Sequence, residues 1–553
     1  MTARPHPYID ELKKVLADRR CDRREFLRTA TLLGVSAGAA YAFLGESDAA
    51  AQTAAPRRGG SLRIAARVRE IGHPHAMSNV PSSNLARQVV DYLAVTGPDN
   101  ITRPALVQSW RPSEDLKTWT LNLRRDVTWR SGRKFTADDV VWNLKSLLDP
   151  KTGSSVLGLM KGYMLTDVAT GEKDAQGNPR MTSRLWDANA IERVDDFTVR
   201  LNLKVPQLAV PEHLFHYPAV MIDPEGGNKF AVGMNGTGPF ELVEYDVTKR
   251  AVIRARKNYW GVGPYLDEVM FVDLGDDPGA EIAALVSRQI MTIVTAAQSQ
   301  LPALKSLPGL DFYVTKTAAT VHARMQPVAP FTDKRIVRAM RYAVDNDKVT
   351  EVTFGDIGYR AEHHHVSPVH PEYADMPPFK RDLAKAKQLL TEAGYPNGID
   401  IPMPMTVSTS WQKDTAQALV AQWAEAGIRV KLDVLPSTEW NKVWNKAPFA
   451  CGDWSHRPLG VMCLALAYRT GVPWNESHFA NPEFDRLLDQ AESTADVEKR
   501  RAVVKRLQQI LQEDGPLVQP VFRSVFTFAD KKLKGMTVHP TQYCFCNEWW
   551  LEA

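Results

Sequence analysis

Two apolar periodicities interleave along this chain from Ser61 to about Gln512, and no other feature restricts its fold as strongly. Period-2 runs mark strands at Ser61–Ala65, Trp119–Leu123, Phe197–Leu203 and Ile428–Val434. Period-3.6 stripes mark helices between and beyond them. One stripe (Val140, Val141, Leu144, Leu147, Leu148) follows a Thr136 cap with acids Asp138 and Asp139 in the first turn. Others are Ile336, Met340, Ala343 and Val344; Leu383, Ala386, Leu389 and Leu390, stopped by Gly394 and Pro396; and Ala416, Leu419, Val420 and Trp423, stopped by Gly427. Phe484, Leu487 and Leu488 lead into a charged helix ending near Gln512. Phe240–Tyr245 and Ala251–Ala255 flank a hairpin turn, and residues 165–185 read as a polar loop. Strands mixed with helices throughout define an α/β class, and no internal repeat is evident.

The N-terminus stands outside this pattern. Asp22-Arg23-Arg24-Glu25-Phe26-Leu27-Arg28 precedes Thr29–Gly45, a run of 17 residues without one charge. An arginine pair ahead of a weakly apolar run reads as a twin-arginine export signal. It matches the consensus at Arg23, Arg24, Phe26 and Leu27 and departs from it at Asp22 and Arg28. Ala49-Ala50-Ala51 supplies a small-residue cleavage site, so residues 1–51 are expected to be a leader and the remainder periplasmic. The competing reading is a buried amphipathic helix at the start of a cytosolic protein, which the missing polar face disfavours. Gly34-Val35-Ser36-Ala37-Gly38 matches a hydrolase nucleophile pattern but lacks a strand-turn-helix context, and is set aside.

Beyond the leader some 500 residues remain, too many for one ordinary core, so two or more lobes are expected. Lys and Arg number 68 and Asp and Glu 64, a net charge of +4. The first 51 residues hold 8 basic and 7 acidic residues, leaving the rest near +3, a balance that argues against a nucleic-acid footprint. No other uncharged stretch reaches membrane-spanning length. Of five cysteines, Cys21 lies in the leader. Cys451, Cys463, Cys544 and Cys546 are expected as buried thiols or one disulfide, since no second Cys or His pair stands at zinc spacing.

Several segments then occur in a telling order. Pro104–Trp110, Trp119–Arg124 and Phe135–Val140 come first; Gly236–Phe240 with Arg256–Trp260 follow; Asp333–Met340 and Ala384–Gly398 come last. Together, across residues 59–530, they resemble the oligopeptide, dipeptide and nickel class of ABC-transporter solute-binding proteins. The resemblance implies a two-lobed periplasmic-binding-protein fold with an extra inserted domain. Lobe one is expected at 59–98, 201–316 and 521–553, the inserted domain at 99–200, and lobe two at 317–520. It implies a non-enzymatic, monomeric receptor that encloses a peptide, peptide-like or small anionic solute between its lobes and docks on a membrane permease, with no cofactor and no resident metal.

Within that frame Gly236 and Gly238 are read as supplying unusual backbone angles, and Tyr259 and Trp260 as rings packed on a lobe edge. In peptide-binding relatives an acid after a Trp-containing strand holds the peptide amino group. Here Asp453 precedes Trp454, and Arg457 falls where that acid would lie. Arg457 could fork to a ligand carboxylate or phosphate, or pair with a protein carboxylate. Trp411, Trp454 and Trp474 are candidates for stacking on ligand. His73 follows the first strand, and His364 sits within His363-His364-His365; both are candidate ligand contacts. Three consecutive histidines do not readily chelate one ion from a strand, because neighbours point to opposite faces. The alternative function is an exported, cofactor-dependent oxidoreductase, against which stand the missing dinucleotide fingerprint, phosphate loop, HExxH and CxxCH.

Overall fold

The first strand, Ser61–Ala65, lies at the centre of the observed sheet, pairing in parallel with Glu268–Val272 on one side and Thr292–Ile293 on the other. The computed structural model describes residues 6–18, 21–44, 55–173, 177, 179–406 and 410–552. Outward from Glu268–Val272 the expected hairpin forms the edge, Phe240–Asp246 with Arg250–Ala255. In the other direction two long strands take over, Leu517–Asp530 and Leu310–Met325, followed by Phe449–Trp454. The two long strands run antiparallel from the first lobe into the second, so one sheet serves both lobes.

Each lobe buries its own core. The first gathers Leu62, Ile64, Trp119, Leu121, Phe135, Leu144 and Phe271. Residues 107–202 add a four-stranded sheet, with Thr118–Leu123 between Val107–Pro112 and Thr198–Asn202. The second core gathers Val321, Met340, Leu390, Met403, Leu419, Trp423 and Val521 around the parallel pair Ile399–Thr406 and Ile428–Leu435.

The structure departs from the sequence reading in several places. Helices Gly460–Tyr468, Pro482–Glu492 and Val497–Asp514 join the first core through Leu464, Phe484, Leu488 and Val504, although their sequence position groups them with 317–520. Gly158 in helix Val156–Met164 makes room for Val472 and Leu466, which is how this packing closes. Residues 165–185 are a hairpin, Leu165–Lys173 with Pro179–Leu185, rather than a loop; both strands are mostly solvent-exposed, so no apolar alternation marks them. Gly236 and Gly238 do not need unusual angles. A Cβ on Gly236 would lie 1.9 Å from the Val89 carbonyl oxygen and one on Gly238 2.5 Å from the Val89 carbonyl carbon, so close approach is what requires glycine. Tyr259 and Trp260 donate to Asp91 at 3.2 and 2.9 Å, away from the cleft.

The N-terminal segment is folded against the body. Helices Tyr8–Ala17, Arg23–Leu32 and Ala37–Phe43 bury Ile9, Leu12, Phe26, Leu27 and Leu32 on Ile101, Leu116 and Leu208. Arg28 is 2 % exposed and donates to Glu25 at 2.8 Å and to Glu212 at 3.0 Å, while Arg500 reaches Glu25 at 3.1 Å. Trp110 Nε1 donates to the carbonyls of Thr31 and Leu32. The polar groups thus find partners on the body that sequence pattern alone does not reveal. Arg23 and Arg24 face solvent. Ala49-Ala50-Ala51 lies outside the described residues. Among the described residues, no helix is long and apolar enough to cross a membrane. Cys451, Cys463, Cys544 and Cys546 are buried free thiols, and Cys544-Phe545-Cys546 leads into a short 3-10 turn.

Candidate functional site

Where the two long strands leave the first lobe, the chain walls a cavity of about 440 Å³ between the lobes. One wall comes from the loop after Ser61–Ala65 and from Ser78 and Asn79; the other comes from Trp411, Trp440, Trp444 and strand Phe449–Trp454. Such an aromatic-walled cleft between lobes is where small-molecule sites concentrate.

Trp411, Asp453, Trp454, Arg457 and Trp474 all line this cavity. His73 and His364 do not. His73 caps a 3-10 turn, its Nδ1 accepting from the His75 amide at 3.1 Å. His364 is 1 % exposed and meets Gln508 at 3.2 Å. Burial keeps the pKa of His363, His364 and His365 below the ordinary value, so all three are neutral rings packed in the protein. Among the described residues, no group of three or more His, Cys, Asp or Glu could hold a metal ion.

The aromatic wall is continuous. Trp474 meets Trp454 edge-on at 5.8 Å, Trp444 at 6.4 Å and Tyr217 at 6.0 Å. Its floor is a buried polar cluster. Glu476 accepts from Trp454 Nε1 at 2.9 Å, from His322 at 3.1 Å and from Arg324 at 3.2 Å. Burial alone would raise the Glu476 pKa, but the hydrogen bonds and charges of His322 and Arg324 bring it down to about 2. Burial lowers the Arg324 pKa even against Glu476, yet a guanidinium stays charged at neutral pH. Arg324 also donates to the carbonyls of Ala447 and Trp444, which ties the floor to the aromatic wall.

Arg457 is held by the protein's own groups. It donates to Tyr217 Oη and the Ser455 carbonyl at 3.1 Å, and to the His456 carbonyl at 2.8 Å, with its guanidinium 4.6 Å from the Tyr217 ring centre. No carboxylate pairs with it across the rim among the described residues. Asp453 differs: its carboxylate opens into the cleft, while the surrounding walls strip enough water to raise its pKa.

Sequence reasoning missed Arg69, Arg523, Trp440, Trp444 and Glu476. Arg523 lies within the strand Leu517–Asp530 and Arg69 in the loop after the first strand. The one available signal was a charged residue interrupting the apolar run Val521–Phe526.

Two lobes on shared strands, with an aromatic cavity between them, define the class: a solute-capturing receptor. The family model "Bacterial extracellular solute-binding proteins, family 5 Middle" matches residues 102–462, more than half of the chain, and the chain belongs to that family. It is 26 % identical over 469 residues to Heme-binding protein A of Haemophilus influenzae, covering 80 % of this chain and 82 % of that one. Its fold superposes on the Helicobacter pylori periplasmic binding protein DppA in complex with the peptide STSA (TM-score 0.77, 21 % identity, 90 % and 99 % of the two chains). It superposes equally well on AgaA in complex with agropinic acid from A. tumefaciens R10 (TM-score 0.78, 22 % identity, 89 % and 99 %). The protein is accordingly a substrate-binding receptor of an ABC importer of the periplasmic class, and not an enzyme.

Proposed function

We propose that this receptor encloses a peptide, a peptide-like conjugate or a small anionic solute in the cleft and delivers it, as a monomer, to the permease subunits of an inner-membrane importer. The observation that carries the reading is the aromatic cavity with uncompensated charges on its walls, which suits a ligand both polar and partly apolar. The relatives' cargo, a peptide in one solved complex and agropinic acid in another, fits the same description. On this reading Trp411, Trp454 and Trp474 supply stacking surface and Arg457 braces Tyr217 at the rim. Lobe one is 59–98, 201–316 and 521–553, with 99–200 inserted, and 317–520 forms the opposite lobe apart from the helices Gly460–Tyr468, Pro482–Glu492 and Val497–Asp514, which pack on lobe one. Residues 1–51 act as a twin-arginine leader that rests on the folded body, its arginine pair outward, until cleavage near Ala51. No nucleic acid, cofactor or resident metal takes part.

The test is a thermal-shift screen of the full chain against a peptide mixture, opine-type conjugates, acidic sugars and Ni²⁺. A ligand that binds only the native state adds about 2.7 kcal/mol at a hundredfold excess over its dissociation constant. A concentration-dependent rise with one organic class supports the reading; a rise with Ni²⁺ alone contradicts it. Amino-terminal sequencing of protein recovered from the periplasm tests the cleavage.

A further inference from the structure

The charges on the cleft walls specify more than a polar ligand. Most already have hydrogen-bond or ion-pair partners within the protein. Arg67 pairs with Asp273 and Asp276 at 2.9 and 2.6 Å. Glu281 accepts from Gln300 at 2.8 Å, Glu476 is held by His322 and Arg324, and Arg457 by Tyr217 and two carbonyls. Besides the solvent-exposed Lys413, three charged groups make no side-chain hydrogen bond or ion pair with any described residue: Asp453, Arg523 and Arg69. They belong together, because Asp453 feels the charges of both Arg523 and Arg69.

Strand register explains the convergence. Phe449 and Cys451 carry one face of their strand into the second core, and Asp453 is the next residue on that face, at the cleft. Asp453 stands opposite Val321, which stands opposite Val521, and Arg523 is the next residue on that face of the long strand. Two strand spacings and two residues of rise put the Asp453 and Arg523 backbones about 12 Å apart. The two side chains share that face without forming an ion pair, although the Arg523 charge reaches Asp453. Arg523 is 6 % exposed, its guanidinium lies 4.1 Å from the Trp411 ring centre, and its buried Nε has no partner. Arg69 comes from the other lobe. The Arg69 carbonyl accepts from Tyr245 Oη at 2.6 Å and the Val68 amide donates to Asp273 at 2.9 Å, which fixes the backbone and leaves the side chain at the cleft.

A buried guanidinium without an anion is costly, so this arrangement waits for a ligand that completes it. We infer that the cleft of this receptor selects ligands bearing a free α-amino-acid head group, with the ammonium on Asp453 and the adjacent carboxylate forked by Arg523, and with Arg69 closing on that carboxylate from the opposite lobe. One tetrahedral carbon then carries both charges across the gap. An ordinary α-linked peptide separates its ammonium and carboxylate by at least one peptide unit and cannot place both at this point; a γ-linked glutamyl peptide or another conjugate through an amino-acid side chain can. The inference rests on the receptor reading above and narrows it.

The experiment compares two isomers of equal composition and charge, γ-glutamyl-glycine and α-glutamyl-glycine, by titration calorimetry of the full chain at pH 7. The γ-isomer is expected to bind at least tenfold more tightly. Asp453→Asn and Arg523→Lys should each erase that preference, with circular dichroism and the ligand-free melting midpoint as checks on folding. If Arg523→Lys fails to fold, Asp453→Asn alone decides. Equal binding, tighter binding of the α-isomer, or a preference that survives Asp453→Asn overturns the inference. So does binding of neither isomer; in that case a midpoint raised by the peptide mixture leaves the receptor reading standing, and an unmoved midpoint removes both.

Discussion

Glu476 holds together the floor of the cleft, and its ionisation has a measurable signature. Its folded pKa of about 2 lies below the ordinary 4.5, so its stabilisation is fully present above pH 4.5 and fades as pH falls toward 2. Glu476→Gln should cost about 3 kcal/mol at pH 7, and the gap to wild type should narrow from pH 4.5 downward. Urea denaturation at pH 7, 4.5 and 3 checks this; a gap independent of pH would sink it. A second residue-scale expectation concerns backbone proximity. Gly236→Ala should destabilise by about 3 kcal/mol, because the new methyl meets the Val89 carbonyl and backbone must move. Gly72→Ala, whose added Cβ would meet nothing within 4 Å, should stay within about 0.5 kcal/mol by the same assay.

At the scale of elements the N-terminal helices are the instructive case. Burial pushes the Glu212 pKa up to about 7 even with Arg28 beside it, and Glu25 is held low by Arg28 and Arg500 despite burial. A carboxyl with a raised folded pKa loses stability as pH climbs from its ordinary value through the folded one. Arg28→Ala removes the cation between two buried carboxylates, so it should lower the melting midpoint, and lower it more at pH 8 than at pH 6. Equal shifts at the two pH values would show that the ion cluster does not anchor the helices. Starting the chain at residue 52 should also lower the midpoint, because Ile101, Leu116 and Leu208 lose their cover.

For the whole molecule, two lobes joined by two long strands imply hinged closure around cargo. The register between those strands shifts at Lys316 to Ala319, beside the cleft, where the ladder is easiest to bend. A bound ligand should shrink the radius of gyration in small-angle scattering and shift tryptophan emission, since Trp411, Trp440, Trp444, Trp454 and Trp474 all face the cavity. Saturating ligand with neither change would mean that capture proceeds without closure.

The sequence by itself determined the local elements and the family. Alternation marked Ser61–Ala65 and the hairpin at Asp246–Lys249, a Thr136 cap with acids in the first turn marked the helix Ala137–Leu148, and ordered motifs led to family 5. These are properties of near neighbours in the chain, where periodicity and capping act. Only tertiary structure decided which charges meet. Arg523 reads in sequence as one charge within an apolar run, yet register across three strands brings it toward Asp453, and the loop after the first strand adds Arg69 from the far lobe. The histidine run shows the converse: conspicuous in sequence, it was carried into the interior as neutral rings by packing against Gln508, Gln519 and Tyr468. Charge and ligand chemistry depend on distance in space, which the spacing of residues along a chain does not encode.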